Sequence, residues 1–473
     1  MKKYLPFFLL AFITTFVYGQ PQKVIVKSTI DSPTEYRYWP LSGKQLPFYD
    51  LSTPATIKQG ETAIINLSDC ETIYKMIIGK HIFNIYATAN STDTIYVYPD
   101  SLSFSGKNVA YNNYLSEAKK SDKYCQDYSR TRNHPLAAVN SLAEFKNIVS
   151  SYKAEDNKLL KSNAFTATFM QQQLLFIDLK YKALFLKKMI SLYRSPDLTQ
   201  EWIDEFKNMD FHFADETARK SEWFCGLLKD YVGIRKFMIE QIDPKGVADT
   251  ARVFFFKSYC NVLTGNNLEY ATAHLLYDDT YQKDYSKDAP AVYKEFKALF
   301  PQSSYLPVLS PGIEKTIAIH NPSHNNDKIK IVHYETAPES FSDIIRPFLG
   351  KVIYIDIWAT SCAPCLEALS EVNEHKKLIP NADKVVFLYL SVDRDRLHEK
   401  WDNLINYYSL EGYHYRANEK TAKIIYTTFG DDRGTLSIPR YILVDKEGRI
   451  AFSNAAPLSD TVKVTEQLET LLK

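Results

Sequence analysis

Nowhere in the 473 residues is there a block of like charge, a second long apolar run after the N-terminus, or a dense cysteine framework. Lysine and arginine number 57 against 56 acidic residues, a formal charge of +1 with no like-charge tract. That balance argues against a polyanion partner and against nucleic acid binding. The one long apolar stretch, Pro6 to Val17, falls short of the roughly 20 residues needed to span a bilayer. Six cysteines sit at 70, 125, 225, 260, 362 and 365, and only the last two are close in sequence. A chain of this size builds a core without staples, so Cys70, Cys125, Cys225 and Cys260 read first as small buried side chains, with one or two structural bridges among them left open. What is plentiful is aromatic: 33 tyrosines and 27 phenylalanines. These suit large aromatic cores with amphipathic surface tyrosines.

The first 19 residues read as an export signal, with Lys2 and Lys3 before the apolar run and Val17 and Gly19 flanking a cleavage site. Gln20 follows where a lipid-bearing cysteine would otherwise stand, so the expected product is soluble in the periplasm or cell envelope. From 20 to 106 short extended runs such as Ile82-Phe83-Asn84-Ile85-Tyr86 and Thr94-Ile95-Tyr96-Val97-Tyr98 alternate with turns, which predicts a small antiparallel β domain. From 107 to 300 the period changes. Met170, Leu174, Ile177, Tyr181 and Leu184 line one helix face, and this stretch reads as a helical region. Residues 301–334, rich in Pro, Ser, Asn and His, read as a linker. His320 and His324 are four apart, but Pro322 between them argues against a helix and so against a metal pair.

From 335 to 473 strand and helix patterns alternate, which implies an α/β layer architecture with a buried sheet. The expected strands are Val352–Ile357, Val385–Val392, Tyr441–Val444 and Arg449–Ser453, the last two joined by the turn Asp445-Lys446-Glu447-Gly448. Cys362 and Cys365 lie where the first of these strands gives way to a helix. A Cys-x-x-Cys pair serves zinc or redox chemistry, and zinc needs two further ligands that no second Cys-x-x-Cys or spaced His pair supplies. A dithiol needs nothing more. At a helix N-terminus the unpaired amides and the macrodipole favour a thiolate at Cys362, while Cys365, one turn in, is more shielded.

The segment Ile355-Asp356-Ile357-Trp358-Ala359-Thr360-Ser361-Cys362-Ala363-Pro364-Cys365 resembles the active-site segment of thioredoxins, and especially of the exported TlpA/ResA-like disulfide reductases. The resemblance covers 335–473, and Ser437-Ile438-Pro439-Arg440 falls where that family has its cis-proline loop. It implies a multidomain chain: a C-terminal thioredoxin-like α/β fold preceded by a β-rich domain and a helical region. Ser361 stands where a second tryptophan is usual and Ala363 where glycine is commonest. After the second cysteine many relatives carry an acid and then proline, whereas this chain has Ala368 and Ser370, with its acid at Glu367.

The roles that follow are catalytic ones for Cys362 (attacking thiol), Cys365 (resolving thiol) and Asp356. Asp356 is a lone acid in an apolar strand, where the family has its buried acid and where burial raises a carboxyl pKa into the range of a usable base. Ile438, Pro439 and Trp358 are expected to form the substrate-binding surface, with Pro439 keeping metal off the sulfurs and Trp358 packing beside the active-site helix and limiting solvent. No cofactor beyond the dithiol is called for. The expected partners are protein disulfides and a membrane or envelope thiol that supplies electrons. Proline between the cysteines resembles the reducing members, whereas strongly oxidising members usually carry histidine there.

Overall fold

The computed structural model describes residues 22–30, 32–42, 46, 55–67, 69, 71–126, 135–432 and 434–473. The export signal, Cys70 and the Cys125 side chain lie outside the described residues. The chain forms two compact units. One runs to Asp243 and takes in Val262–Tyr270, and the other comprises Pro244–Asn261 and Ala271–Lys473.

The first unit opens with eight strands: β1 (Gln22–Ser28), β2 (Thr34–Pro40), β3 (Ala55–Ile57), β4 (Thr62–Leu67), β5 (Thr72–Ile78), β6 (His81–Ala87), β7 (Thr92–Val97) and β8 (Leu102–Gly106). They form two four-stranded sheets, ordered β4-β1-β7-β8 and β3-β2-β5-β6. Alternate residues of both sheets, among them Val24, Val26, Ile65, Ile95, Met76, Ile78, Phe83 and Ile85, share one buried core, as the two-residue period of a half-buried strand requires. The expectation of a purely antiparallel domain is corrected at one place, because β1 runs parallel to β7. Helices Val109–Gln126, Leu142–Lys161, Ala167–Ser191, Gln200–Asn208 and Phe224–Gly233 follow in the same unit.

The second unit carries helices and a six-stranded sheet. Its strands are β9 (Ile329–Ile331), β10 (Val352–Trp358), β11 (Val385–Ser391), β12 (Gly412–Arg416), β13 (Arg440–Val444) and β14 (Ile450–Phe452), in the order β14-β13-β10-β11-β12-β9. β10, β11, β12 and β9 are parallel neighbours, and β13 is antiparallel to both β10 and β14. Every residue of central β10 is buried, which explains its near-continuous apolar sequence. The β13–β14 hairpin turns as its sequence implies, with Gly448 at φ 84°, a conformation that disfavours any side chain. The strand register puts Val352, Tyr354, Asp356 and Trp358 on one face of β10 and Ile353, Ile355 and Ile357 on the other. Helices Phe341–Ile345 and Glu419–Phe429 cover the second face.

Two sequence readings change here. Residues 301–334 are not a plain linker: Leu306–His320 is a helix with Pro311 inside it, and Ile329–Ile331 is an edge strand of the sheet. Ile319 of that helix and Tyr285 before it are buried in the same core as Val352, Trp358, Cys365 and Leu468. The polar tract therefore marks no boundary between units, and the helices from 271 to 320 belong with the sheet. Pro322 does end the helix, just past His320, whose Nε2 pairs with the Tyr285 carbonyl, while His324 faces Asp402.

Candidate active site

The helix Ala363–Ser370 starts where β10 ends, and its first residues are fixed from three sides. Cys362 is the N-cap, its sulfur accepting from the Cys365 amide at 3.2 Å, and Pro364 occupies the first turn, where a missing N–H costs nothing. Buried Asp393 accepts from the Thr360 amide at 2.9 and 3.0 Å and from the Thr360 hydroxyl at 2.8 Å, and Ser391 donates to the same carboxylate at 2.7 Å. The loop between strand and helix is thereby tied to the end of β11.

A disulfide joins Cys362 and Cys365. Cys362 is half-buried, whereas Cys365 is 1% exposed, so an incoming sulfur reaches Cys362 first. The Ile438–Pro439 bond is cis, and the Ile438 carbonyl oxygen lies 3.7 Å from the Cys362 sulfur. The helix breaks at Glu371 and resumes as Val372–Lys377.

Asp356 is 4% exposed, and its Oδ1 has no hydrogen-bond partner among the described residues. It lines a cavity of about 290 Å³ together with Pro364, Ala368, Val372, Tyr441 and Leu458. Burial pushes its carboxyl up to about 7, partly offset by the cation of Lys376. Lys376 itself is pushed down to about 7 by burial, with Glu411 and Asp356 acting the other way. Its ammonium donates to the Glu411 carbonyl at 2.5 Å and sits over the rings of Phe387 and Tyr389, 4.3 and 5.0 Å from their centroids. An acid and a base that both change charge near neutral pH therefore lie beside the active-site helix.

Trp358 is fully buried against Cys365 and Leu366, so it supports the site from within and presents no face to a substrate. That corrects its assignment to the binding surface. Sequence reasoning also missed Asp393, Thr360 and Lys376. The first two sit 33 residues apart and meet only through the strand pairing, and Lys376 lies in an ordinary basic helix ending with nothing to mark it.

A thioredoxin-like family model matches residues 350–450. A solution structure of a candidate thiol-disulfide oxidoreductase from Bacteroides vulgatus is 31% identical, covering 27% of this chain and 78% of that one, with a TM-score of 0.22. Residues 350–450 of the chain belong to the thioredoxin-like superfamily. The chain is also similar to the thiol-disulfide oxidoreductase ResA of Bacillus thuringiensis, at 26% identity over 129 residues, 27% of this chain. The match spans 66% of the ResA chain. A thioredoxin-like protein from Bacteroides caccae aligns with 61% of this chain and 93% of its own, at 14% identity and a TM-score of 0.22.

Proposed function

We propose that this is an exported thiol-disulfide oxidoreductase that reduces protein disulfides through Cys362 and Cys365. The observation that carries the reading is the asymmetry of the pair, a half-buried sulfur at a helix N-terminus followed by a sealed one. In the proposed cycle the Cys362 thiolate attacks one sulfur of a substrate disulfide. A Cys362–substrate bond forms as the substrate S–S bond breaks, and the other substrate sulfur leaves as a thiolate that takes a proton from solvent. Cys365 then gives its proton to Asp356 and attacks Cys362, closing the Cys362–Cys365 disulfide and releasing the second substrate sulfur as a thiolate that solvent protonates, while Asp356 returns its proton to solvent. An envelope thiol restores the dithiol by the reverse exchange. Asp356 suits its part because a carboxyl held near 7 accepts a proton at neutral pH. Ile438 and Pro439, beside the Cys362 sulfur, would receive an extended substrate segment as an added strand. No cofactor enters this cycle.

Export is read from Lys2, Lys3 and the apolar run to Val17, with the periplasm or cell envelope as destination. Among the described residues no helix is long and apolar enough to cross a membrane. Insulin reduction by the full mature chain tests the reading. Turnover that disappears in Cys362→Ser is expected, and a variant as active as the parent would overturn it. The opposing reading, a binding protein whose dithiol is a regulatory bridge, requires instead that the parent chain show no turnover at all.

A further inference from the structure

The thioredoxin-like sheet does not supply every charged group at the dithiol. The loop between helices Gly265–Tyr281 and Ala289–Leu299 brings Lys283 onto the active-site helix, in the same compact unit. Its ammonium donates to the carbonyl of Ala363, the residue directly after Cys362, at 3.3 Å, and pairs with Glu367 at 2.8 Å. Lys283 is 80 residues from Ala363 in sequence, so only the packing of the helical segment makes this contact.

The loop is built to hold that position. Asp279, fully buried, accepts from Arg252 at 2.7 Å and from the Ser286 amide at 3.0 Å, and its own carbonyl accepts from the Asp284 amide at 2.8 Å. Arg252 also grips Asp284 at 2.8 Å. Tyr285 is 3% exposed in the core that contains Trp358 and Cys365, and Lys315 lies over its ring. Lys283 and Tyr285 both take left-handed φ values, 58° and 45°, which non-glycine residues adopt only when their surroundings hold them there. A lysine merely lying on a surface would need none of this.

We propose that Lys283 stabilises the Cys362 thiolate and thereby raises the reduction potential of the dithiol, with Glu367 as its counter-charge. The inference rests on the oxidoreductase reading above. Reduction of the disulfide adds two electrons and, with Cys362 left as thiolate, one proton that goes to Cys365. Two thiols of the reducing buffer become one disulfide. A fixed cation beside the helix N-terminus favours the charged product, so the oxidised form becomes easier to reduce. The other ionisable groups around the site are Asp356 of β10, Lys376, Tyr441 of β13, Glu371 and His375 beyond the active-site helix, and Tyr285 of the loop itself. Only Tyr285 is on the loop, and burial pushes its phenol above the ordinary range, so it stays neutral while Cys362 titrates. In this role Lys283 is a positioning residue, acting through the helix end and touching neither sulfur nor substrate.

The test equilibrates the full mature chain with glutathione buffers and titrates the Cys362 thiolate by its ultraviolet absorbance. Lys283→Met is expected to raise the Cys362 pKa by about half a unit to one unit, a threefold to tenfold effect, for a partly exposed neighbouring charge. The disulfide should become harder to reduce by the same factor, about 15 to 30 mV at roughly 30 mV per tenfold. Glu367→Gln, a change at an exposed side chain, should move both readouts the opposite way, and Lys283→Arg should hold the parent values. Loss of loop structure would push Lys283→Met and Glu367→Gln in one direction, so shifts of the same sign, or none, overturn the proposal. A parent chain that never equilibrates with glutathione overturns the oxidoreductase reading itself. A parent that does, with Lys283→Met unchanged, overturns only the role of Lys283.

Discussion

In the first unit Lys180 and Asp156 are 6% and 8% exposed and meet at 2.6 Å, with Ser121 accepting from the lysine and Tyr181 donating to the acid. Lys188, 1% exposed, donates to two backbone carbonyls and to Asn140. In the second unit Asp356 is as deeply buried, yet one carboxylate oxygen has no partner among the described residues, and its titration has moved up to about 7. The first arrangement compensates desolvation with full hydrogen bonding. The second leaves part of the cost in place. What the difference teaches is that burial of a charge alone does not mark a site. Burial without the means to satisfy the charge does.

The sharpest way to break that comparison is to remove one partner of the satisfied pair. Lys180→Met strands Asp156 and is expected to cost about 3 to 5 kcal/mol of stability, read by denaturant unfolding. A loss no larger than that of a surface variant would dissolve the contrast. Asp356→Asn should act oppositely. Because the folded carboxyl titrates near 7 and the unfolded one near 4, its cost is absent below about pH 4, grows between about 4 and 7, and stays constant above. The variant should therefore gain nothing in acid and on the order of 1 to 3 kcal/mol above neutrality. Its resolving step, followed as decay of the mixed disulfide, should slow by about tenfold or more, while attack by Cys362 changes less. A variant that is destabilised and resolves at the parent rate would make Asp356 an ordinary structural acid.

Lys376→Met sharpens the picture on a smaller scale. Loss of the cation that holds Asp356 down should move the pH midpoint of the resolving step upward by about one unit. A fixed midpoint would show that the two groups are uncoupled. The smallest effect is expected at an exposed ion pair of the first unit, Lys146 with Glu205 at 2.9 Å. Lys146→Ala should change stability by no more than about half a kcal/mol, and a large loss would mean that exposed pairs in this unit carry weight they are not expected to carry.

Along the chain, what could be read in advance followed the range of the physics. β10 was visible as a continuous apolar run, the β13–β14 hairpin through its Asp-Lys-Glu-Gly turn, and Asp356 as the one acid in that run. The helix Leu306–His320 was not, because Pro311 and the polar residues after it mask a face whose Leu309, Ile313 and Ile319 are buried. β9 and β12 escaped for a related reason. They are three and five residues long, and only pairing with each other and with β11 makes them strands.

The sequence by itself determined the dithiol, its place between a buried strand and a helix, the lone acid behind it and the proline loop opposite. The first three are local signals, carried within a few residues by side-chain chemistry and periodicity, and the proline loop is what the family resemblance of Ser437-Ile438-Pro439-Arg440 implies. Only the tertiary structure decided that Lys376 sits near Asp356, that Asp393 ties down Thr360, that Trp358 is sealed from substrate, and that Lys283 reaches Ala363. The three pairs among them lie 20, 33 and 80 positions apart. A charge 80 residues away leaves no periodic or compositional trace, because its effect depends on distance in space, which packing alone sets.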